Sequence, residues 1–238
     1  LKSGIAISTY FFSDTHPERN SVFKQCIDSL LESGYPGGVF IIDDGSEDKK
    51  HLLYAKNKGV RIIERPDNGG EGRVKNTSLR VLLDAGCEYL FLSDDDMVFH
   101  PGWWDAYINA MDTMGMAHMA YVCDGVRIAN ECYCGVDITR PLAPTTNGCF
   151  LTMTRNVPET IGGWPIGRAK FGHLHENFSM RCLKYGLIPF YCDLRDKKKY
   201  VELNARSGPC RSGKWKISEE DENLYLLVNP PMWEPILE

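Results

Sequence analysis

Short apolar runs alternate with amphipathic stretches through the first hundred residues. The runs are Ile5-Ala6-Ile7, Val39-Phe40-Ile41-Ile42, Val60-Arg61-Ile62-Ile63 and Tyr89-Leu90-Phe91-Leu92. Each is too short for a helix and is bounded by polar residues or glycine, the pattern of a strand buried on both faces. Between the runs, apolar residues recur at helical spacing. They are Val22, Phe23, Cys26, Ile27, Leu30 and Leu31, then Leu52, Leu53 and Ala55, then Val74, Leu79, Leu82 and Leu83. Gly34, Pro36-Gly37-Gly38 and Gly59 supply helix stops. Strand–helix alternation repeated three times predicts an α/β fold with a mostly parallel central sheet flanked by helices.

The texture changes after residue 100. A helix is predicted through Trp103, Trp104, Tyr107, Ile108 and Met111, and strand-like pieces at 119–122, 125–129 and 148–153. Asn156-Val157-Pro158-Glu159 starts a short helix that Gly162-Gly163-Trp164-Pro165 ends. Residues 173–185 read as a helix and 187–192 as a last strand, and the tail from Asp193 is charged and Pro-rich.

Polar chemistry collects at the strand ends. The first run leads to Thr9-Tyr10, the second to Asp43-Asp44-Gly45-Ser46, and the fourth to Ser93-Asp94-Asp95-Asp96-Met97. In a parallel sheet all three ends leave from the carboxyl edge, where ligands bind in open α/β sheets. Three adjacent carboxylates repel one another. A divalent cation relieves the repulsion, and oxygen-only ligands suit magnesium or manganese shared with phosphate oxygens. A solvated acidic turn is the alternative.

Composition narrows the field. The chain has 238 residues, 43% of them hydrophobic, enough for a sizeable core. A net charge of −5 gives no general nucleic-acid surface. No apolar stretch approaches membrane-spanning length. The nine cysteines are odd in number and irregular in spacing; Cys132 and Cys134 are too close for a usual zinc knuckle. Such usage points to a reducing compartment, read as cytoplasmic or the cytoplasmic face of a membrane. The chain lacks an initiator Met and reads as trimmed or as part of a larger polypeptide.

The order of these strand ends resembles the family 2 glycosyltransferases, which have the GT-A fold. In that family Thr-Tyr and Asp-Asp-Gly-Ser strand ends hold a nucleoside. An Asn-Gly-rich loop with a basic residue before Asn follows, matched by residues 68–76 with Lys75-Asn76. An apolar strand then ends in the Asp-x-Asp metal motif, matched by Asp94 and Asp96. The resemblance covers residues 4 to 105 well and the rest loosely. It implies one GT-A domain over 1–238, with a donor-binding half (1–105), an acceptor-side half (106–192) and a tail (193–238). Arg206, Arg211 and Lys214 of the tail form either a basic lid over the diphosphate or a solvated charge run.

The resemblance also implies roles. Asp94 and Asp96 would hold Mn2+ or Mg2+ against the donor diphosphate. Asp95 would hold donor hydroxyls. Asp43 and Asp44 would face the nucleoside, with Asp44 accepting from the base, although a turn before Gly45 also explains such acids. Thr9 and Tyr10 would pack around the base, and Lys75 or Arg73 would face the base or the phosphates. The donor would be a nucleotide sugar, UDP-linked by preference, and the acceptor a hydroxyl of a glycan or another molecule. Trp164 and Trp104 are candidate acceptor platforms, since aromatic faces bury apolar sugar surface.

Transfer with inversion requires a base. Residues 172–181 line up with the family's acidic acceptor-side segment, where Leu174 replaces Glu, His175 replaces the catalytic Asp, and Asn177 replaces a second acid. His175 is the leading base, because imidazole accepts a proton near neutral pH. Glu176 is the reserve, and the two point about 100° apart on a helix. Nucleotidyl transfer on a similar fold, and a glycan-binding domain without turnover, are the alternatives.

Overall fold

In a computed structural model the described residues are 2–12, 17–142, 147–164 and 174–204. The chain runs β1 (Ser3–Thr9), α1 (Pro17–Glu32), β2 (Gly38–Asp43), α2 (Lys50–Asn57), β3 (Arg61–Glu64), α3 (Glu71–Asp84), β4 (Tyr89–Asp94), β5 (Met97–Phe99) and α4 (Trp103–Met114). It continues with β6 (His118–Tyr121), β7 (Ile128–Tyr133), β8 (Val136–Pro141), β9 (Asn147–Thr154), α5 (Asn156–Ile161), α6 (Leu174–Lys184), β10 (Asp193–Leu194) and β11 (Val201–Leu203).

The four apolar runs form the parallel part of a six-stranded sheet, ordered β3-β2-β1-β4-β9-β6. β1 pairs in parallel with β2 and β4, and β2 with β3. β9 is antiparallel to both β4 and β6. Every residue of β1 is buried, as continuous apolar runs in a parallel sheet require. Helix α3 packs on β1, β2 and β4, and α6 packs on β6 and β9. Beside β4 an aromatic cluster of Phe91, Phe99, Trp103, Tyr107 and Phe150 fills the interior.

The pairing aligns the strand ends. Thr9 stands opposite Asp43, and Ser8 opposite Asp94, so the three polar ends share one edge. Immediately past Asp94 the chain turns through Asp95-Asp96 into β5, which pairs antiparallel with β11. The backbone N–H of Asn204 donates to the Asp96 carbonyl at 2.9 Å, so the tail's first segment closes over the acidic turn.

Two expectations fail. Residues 187–192 form no strand; Pro189 removes a ladder donor, and only isolated backbone bonds such as Ala120 N–H to the Cys192 carbonyl remain. The 125–129 piece is displaced into the β7–β8 hairpin, closed by Cys134 and Gly135, both at positive φ (51° and 83°). That pair matches the backbone twist a two-residue hairpin loop needs. The described cysteines are all free thiols, with Cys26, Cys87 and Cys182 buried. No helix among the described residues is long and apolar enough to cross a membrane.

Candidate active site

At the carboxyl edge each acid has a different environment. Asp43 is wholly buried and accepts from the backbone N–H and hydroxyl of Ser46. It closes the turn that leads from β2 through Gly45 to Ser46. The Asp44 carboxylate accepts from Arg65 Nε at 2.8 Å and from the backbone N–H groups of Gly69 and Gly70 at 3.1 and 2.9 Å. Burial pushes its carboxyl up against the pull of those two N–H groups and Arg65. Asp44 thus ties the glycine-rich loop to the end of β2.

That closeness depends on Gly45. Its φ is +72°, and a Cβ there would stand 2.8 Å from the Asn68 backbone nitrogen. Gly45→Ala therefore suffers both left-handed strain and a backbone collision. We expect it to destabilise the fold by about 2 kcal/mol or more, measured by urea unfolding.

The triple acid divides its work. Asp94 is the most open, at 38% side-chain exposure, and accepts from Lys75 Nζ at 2.7 Å. Lys75 is buried end to end and also donates to the Gly148 carbonyl at 3.2 Å. Burial alone would discharge the amine, but Asp94 outweighs it and raises the Lys75 pKa. Asp95 is 2% exposed, is paired with Arg19 Nη2, and accepts from the Thr9 hydroxyl at 2.5 Å. Asp95 and Thr9 therefore hold each other at this edge, with Arg19 beside them.

Asp96 differs from both neighbours: its Oδ1 is buried and unpartnered. Burial, then Asp94, then Asp95 raise its carboxyl to about 7, against the pull of Arg19. A buried acceptor with no donor is costly unless something supplies positive charge. No cluster of three or more His, Cys, Asp or Glu side chains stands ready for a metal among the described residues. One free carboxylate beside a paired one is nonetheless the donor set magnesium and manganese take when phosphate oxygens complete the shell.

The remaining candidates spread around this edge. Tyr10 lies next in the chain after Thr9, its ring against Phe12 and its hydroxyl 3.3 Å from Glu47 Oε1. Arg73 is exposed and lies over Gly69, in the same loop that Asp44 holds. His175, in the first turn of α6, is paired through Nε2 with Glu71 of α3. Its ring lies where a Cβ of residue 148 would go, so only glycine fits there. The charge of Glu176 contributes to the raised pKa of Tyr191.

Trp164 is 1% exposed, stacked on Phe178 at 4.1 Å, and pinned by Asn76, which exchanges two hydrogen bonds with its backbone. Trp104 packs against Tyr35, whose hydroxyl reaches Ser3 at the opposite edge of the sheet. His173, Arg206, Arg211 and Lys214 lie outside the described residues. Asn177 is buried and accepts from Arg181, which also donates to the carbonyls of Ile161 and Gly163.

Sequence reasoning missed Arg19 and His51. His51 stacks on Phe11 at 3.8 Å, and its Nε2 lies 3.4 Å from the Thr9 hydroxyl. Burial lowers its pKa and keeps it neutral. Arg19 left one sequence signal: a cation in the first turn of α1 opposes the helix dipole, and such local conflicts mark functional positions.

With this geometry in view, comparison with known proteins decides the family. The sequence profile of Glycosyl transferase family 2 matches residues 14–131. An uncharacterized glycosyltransferase, R363, of Acanthamoeba polyphaga mimivirus is 31% identical over 209 residues, covering 86% of this chain and 82% of the viral protein. The chain belongs to glycosyltransferase family 2. The enzyme shares its fold with S. aureus TarS 1–349 in complex with UDP-GlcNAc, at a TM-score of 0.67 and 16% identity over 94% of this chain and 64% of that one. The mannosyltransferase PcManGT of Pyrobaculum calidifontis, in complex with GDP-Man and Mn2+, matches at a TM-score of 0.57 and 15% identity, over 80% of this chain and 56% of that one. The chain thus spans less than two thirds of either solved chain. Membership settles the choice left by the sequence in favour of sugar transfer.

Proposed function

We propose that this glycosyltransferase moves a sugar, with inversion and with the help of a divalent cation, from a UDP-sugar to a hydroxyl of a glycan or another acceptor. The observation that carries the reading is the unpartnered, buried Oδ1 of Asp96 between two acids that already have partners. Mn2+ or Mg2+ on Asp96, with Asp94 beside it, would neutralise the leaving diphosphate. Within the family fold, residues 1–105 bind the donor and 106–192 shape the acceptor side.

The chain's own groups supply the rest. Asp44 and Arg65 hold the glycine-rich loop against the end of β2, and Arg73, exposed in the first turn of α3, lies over that loop at Gly69. Lys75 fixes Asp94, and Arg19 with Thr9 fixes Asp95. His175 takes the acceptor's proton, with Glu176 in reserve. The two relatives of known structure, bound to UDP-GlcNAc and to GDP-Man with Mn2+, support a nucleotide-sugar donor without selecting the base.

A thermal-shift screen of UDP-, GDP- and dTDP-sugars, with and without 1 mM-scale manganese, tests this. A ligand held at about 100 times its Kd adds about 2.7 kcal/mol, or about 5–10 °C in Tm for a chain of this size. We expect UDP-sugars to reach that shift only with manganese. Equal shifts with and without the metal would exclude the metal-dependent reading.

A further inference from the structure

We infer that Glu71 is a positioning residue that holds His175 in the tautomer and charge state needed to take the acceptor's proton. The inference rests on the proposed role of His175 and goes beyond it by assigning the base a partner on another helix.

Three elements build the contact. Glu71 opens α3, where the positive end of the helix dipole favours a carboxylate. His175 stands in the first turn of α6, and Gly148 of β9 leaves room for its ring. His175 Nε2 is paired with Glu71 Oε1; the side chains are 11% and 23% exposed. Burial opposes the charge on Glu71, but His175 and Lys75 hold its carboxyl down to about 2. The carboxylate is therefore charged at every working pH.

A charged carboxylate only accepts hydrogen bonds, so Nε2 carries the proton and Nδ1 is left as the basic nitrogen. Nδ1 is buried and has no partner. In the reaction the acceptor hydroxyl gives its proton to Nδ1 as its oxygen bonds the anomeric carbon. The bond from that carbon to the diphosphate oxygen breaks, and its electron pair leaves with the diphosphate. The new imidazolium sits at the positive end of the α6 dipole, an unfavourable place for a cation. Glu71 offsets that repulsion, as a buried carboxylate does for the histidine of a Ser-His-Asp triad.

The charged and titratable groups around the ring are Glu71 and Lys75 of α3, Asp94 on Lys75, and His118 of β6. Among the described residues, Cys149, next to Gly148, and Glu176 complete the set. Of these, Glu71 alone is paired with the imidazole among the described residues.

The test compares the wild type with Glu71→Gln and His175→Ala in the full chain. Long-range 1H–15N spectra of histidine-labelled protein assign the His175 ring by its loss in His175→Ala. We expect the wild-type ring as the Nε2–H tautomer, and that preference to be lost in Glu71→Gln, whose side-chain amide can donate as well as accept. Turnover is followed as UDP release from UDP-GlcNAc and UDP-glucose with manganese, water serving as acceptor. Glu71→Gln should lower kcat about 10- to 100-fold, part of what a positioned base supplies, and leave donor KM unchanged. If His175→Ala removes turnover but Glu71→Gln alters neither the ring tautomer nor kcat, the role of Glu71 is overturned while the base stands. If His175→Ala retains full turnover, the base assignment falls and the role of Glu71 falls with it.

Discussion

Asp96→Ala should lower donor turnover by about 10³-fold or more, because it removes the buried, unpartnered carboxylate oxygen proposed to hold the cation, an interaction worth several kcal/mol in the transition state. Donor-release kinetics across a manganese titration would show it, and the manganese-dependent part of the thermal shift should vanish in the same variant. Asp96→Asn separates chemistry from folding. In the native chain the Asp96 carboxyl is raised to about 7 by burial, Asp94 and Asp95. Below its unfolded pKa both states are protonated and the group contributes nothing. As pH rises from about 4 to 7 the unfolded chain ionises first, and native stability falls relative to unfolded. Above about 7 the penalty is complete. Without metal, Asp96→Asn should therefore match the wild type at low pH and exceed it by about 1–3 kcal/mol at pH 8. An inactive variant more stable than its parent is the signature of a binding group held against its own electrostatics. Loss of both activity and stability would instead make Asp96 a structural acid.

The parallel half of the fold was legible because its signal is local. Ile5-Ala6-Ile7, Val39-Phe40-Ile41-Ile42 and Tyr89-Leu90-Phe91-Leu92 are buried on both faces, so each shows as an unbroken apolar run. The polar residue following each run then marks the edge. What the sequence hides is which partner each polar group finds. Asp95 meets Arg19 across 76 positions, and His175 meets Glu71 across 104. No spacing rule reaches that far. The surroundings of the aromatics are hidden too: Trp164 is stacked in the core and Trp104 packs against Tyr35. Burial of a large ring is decided by which helices close on it, here α6 through Phe178. The β7–β8 hairpin escaped for a different reason. Its burial alternates between half-exposed and exposed, so its hydrophobic pattern is faint, and only the Cys134-Gly135 turn betrays it.

His175→Ala should lower kcat by about 10²- to 10³-fold while donor KM stays near the wild-type value, whereas Glu176→Gln should change kcat less than about threefold. The contrast follows from helix geometry. Adjacent residues on α6 diverge by about 100°. His175 faces inward, onto Gly148 and Glu71, beside the Lys75–Asp94 pair that leads to the acidic turn. Glu176 lies near enough to Tyr191 to raise its pKa. A base must reach the proton it removes before its basicity matters, and the proposal gives that reach to His175. Steady-state UDP release, or transfer to an acceptor once one is known, gives both constants. If Glu176→Gln proved the more damaging change, the assignment of His175, beside Gly148 and the Lys75–Asp94 pair, as the base would have to be abandoned.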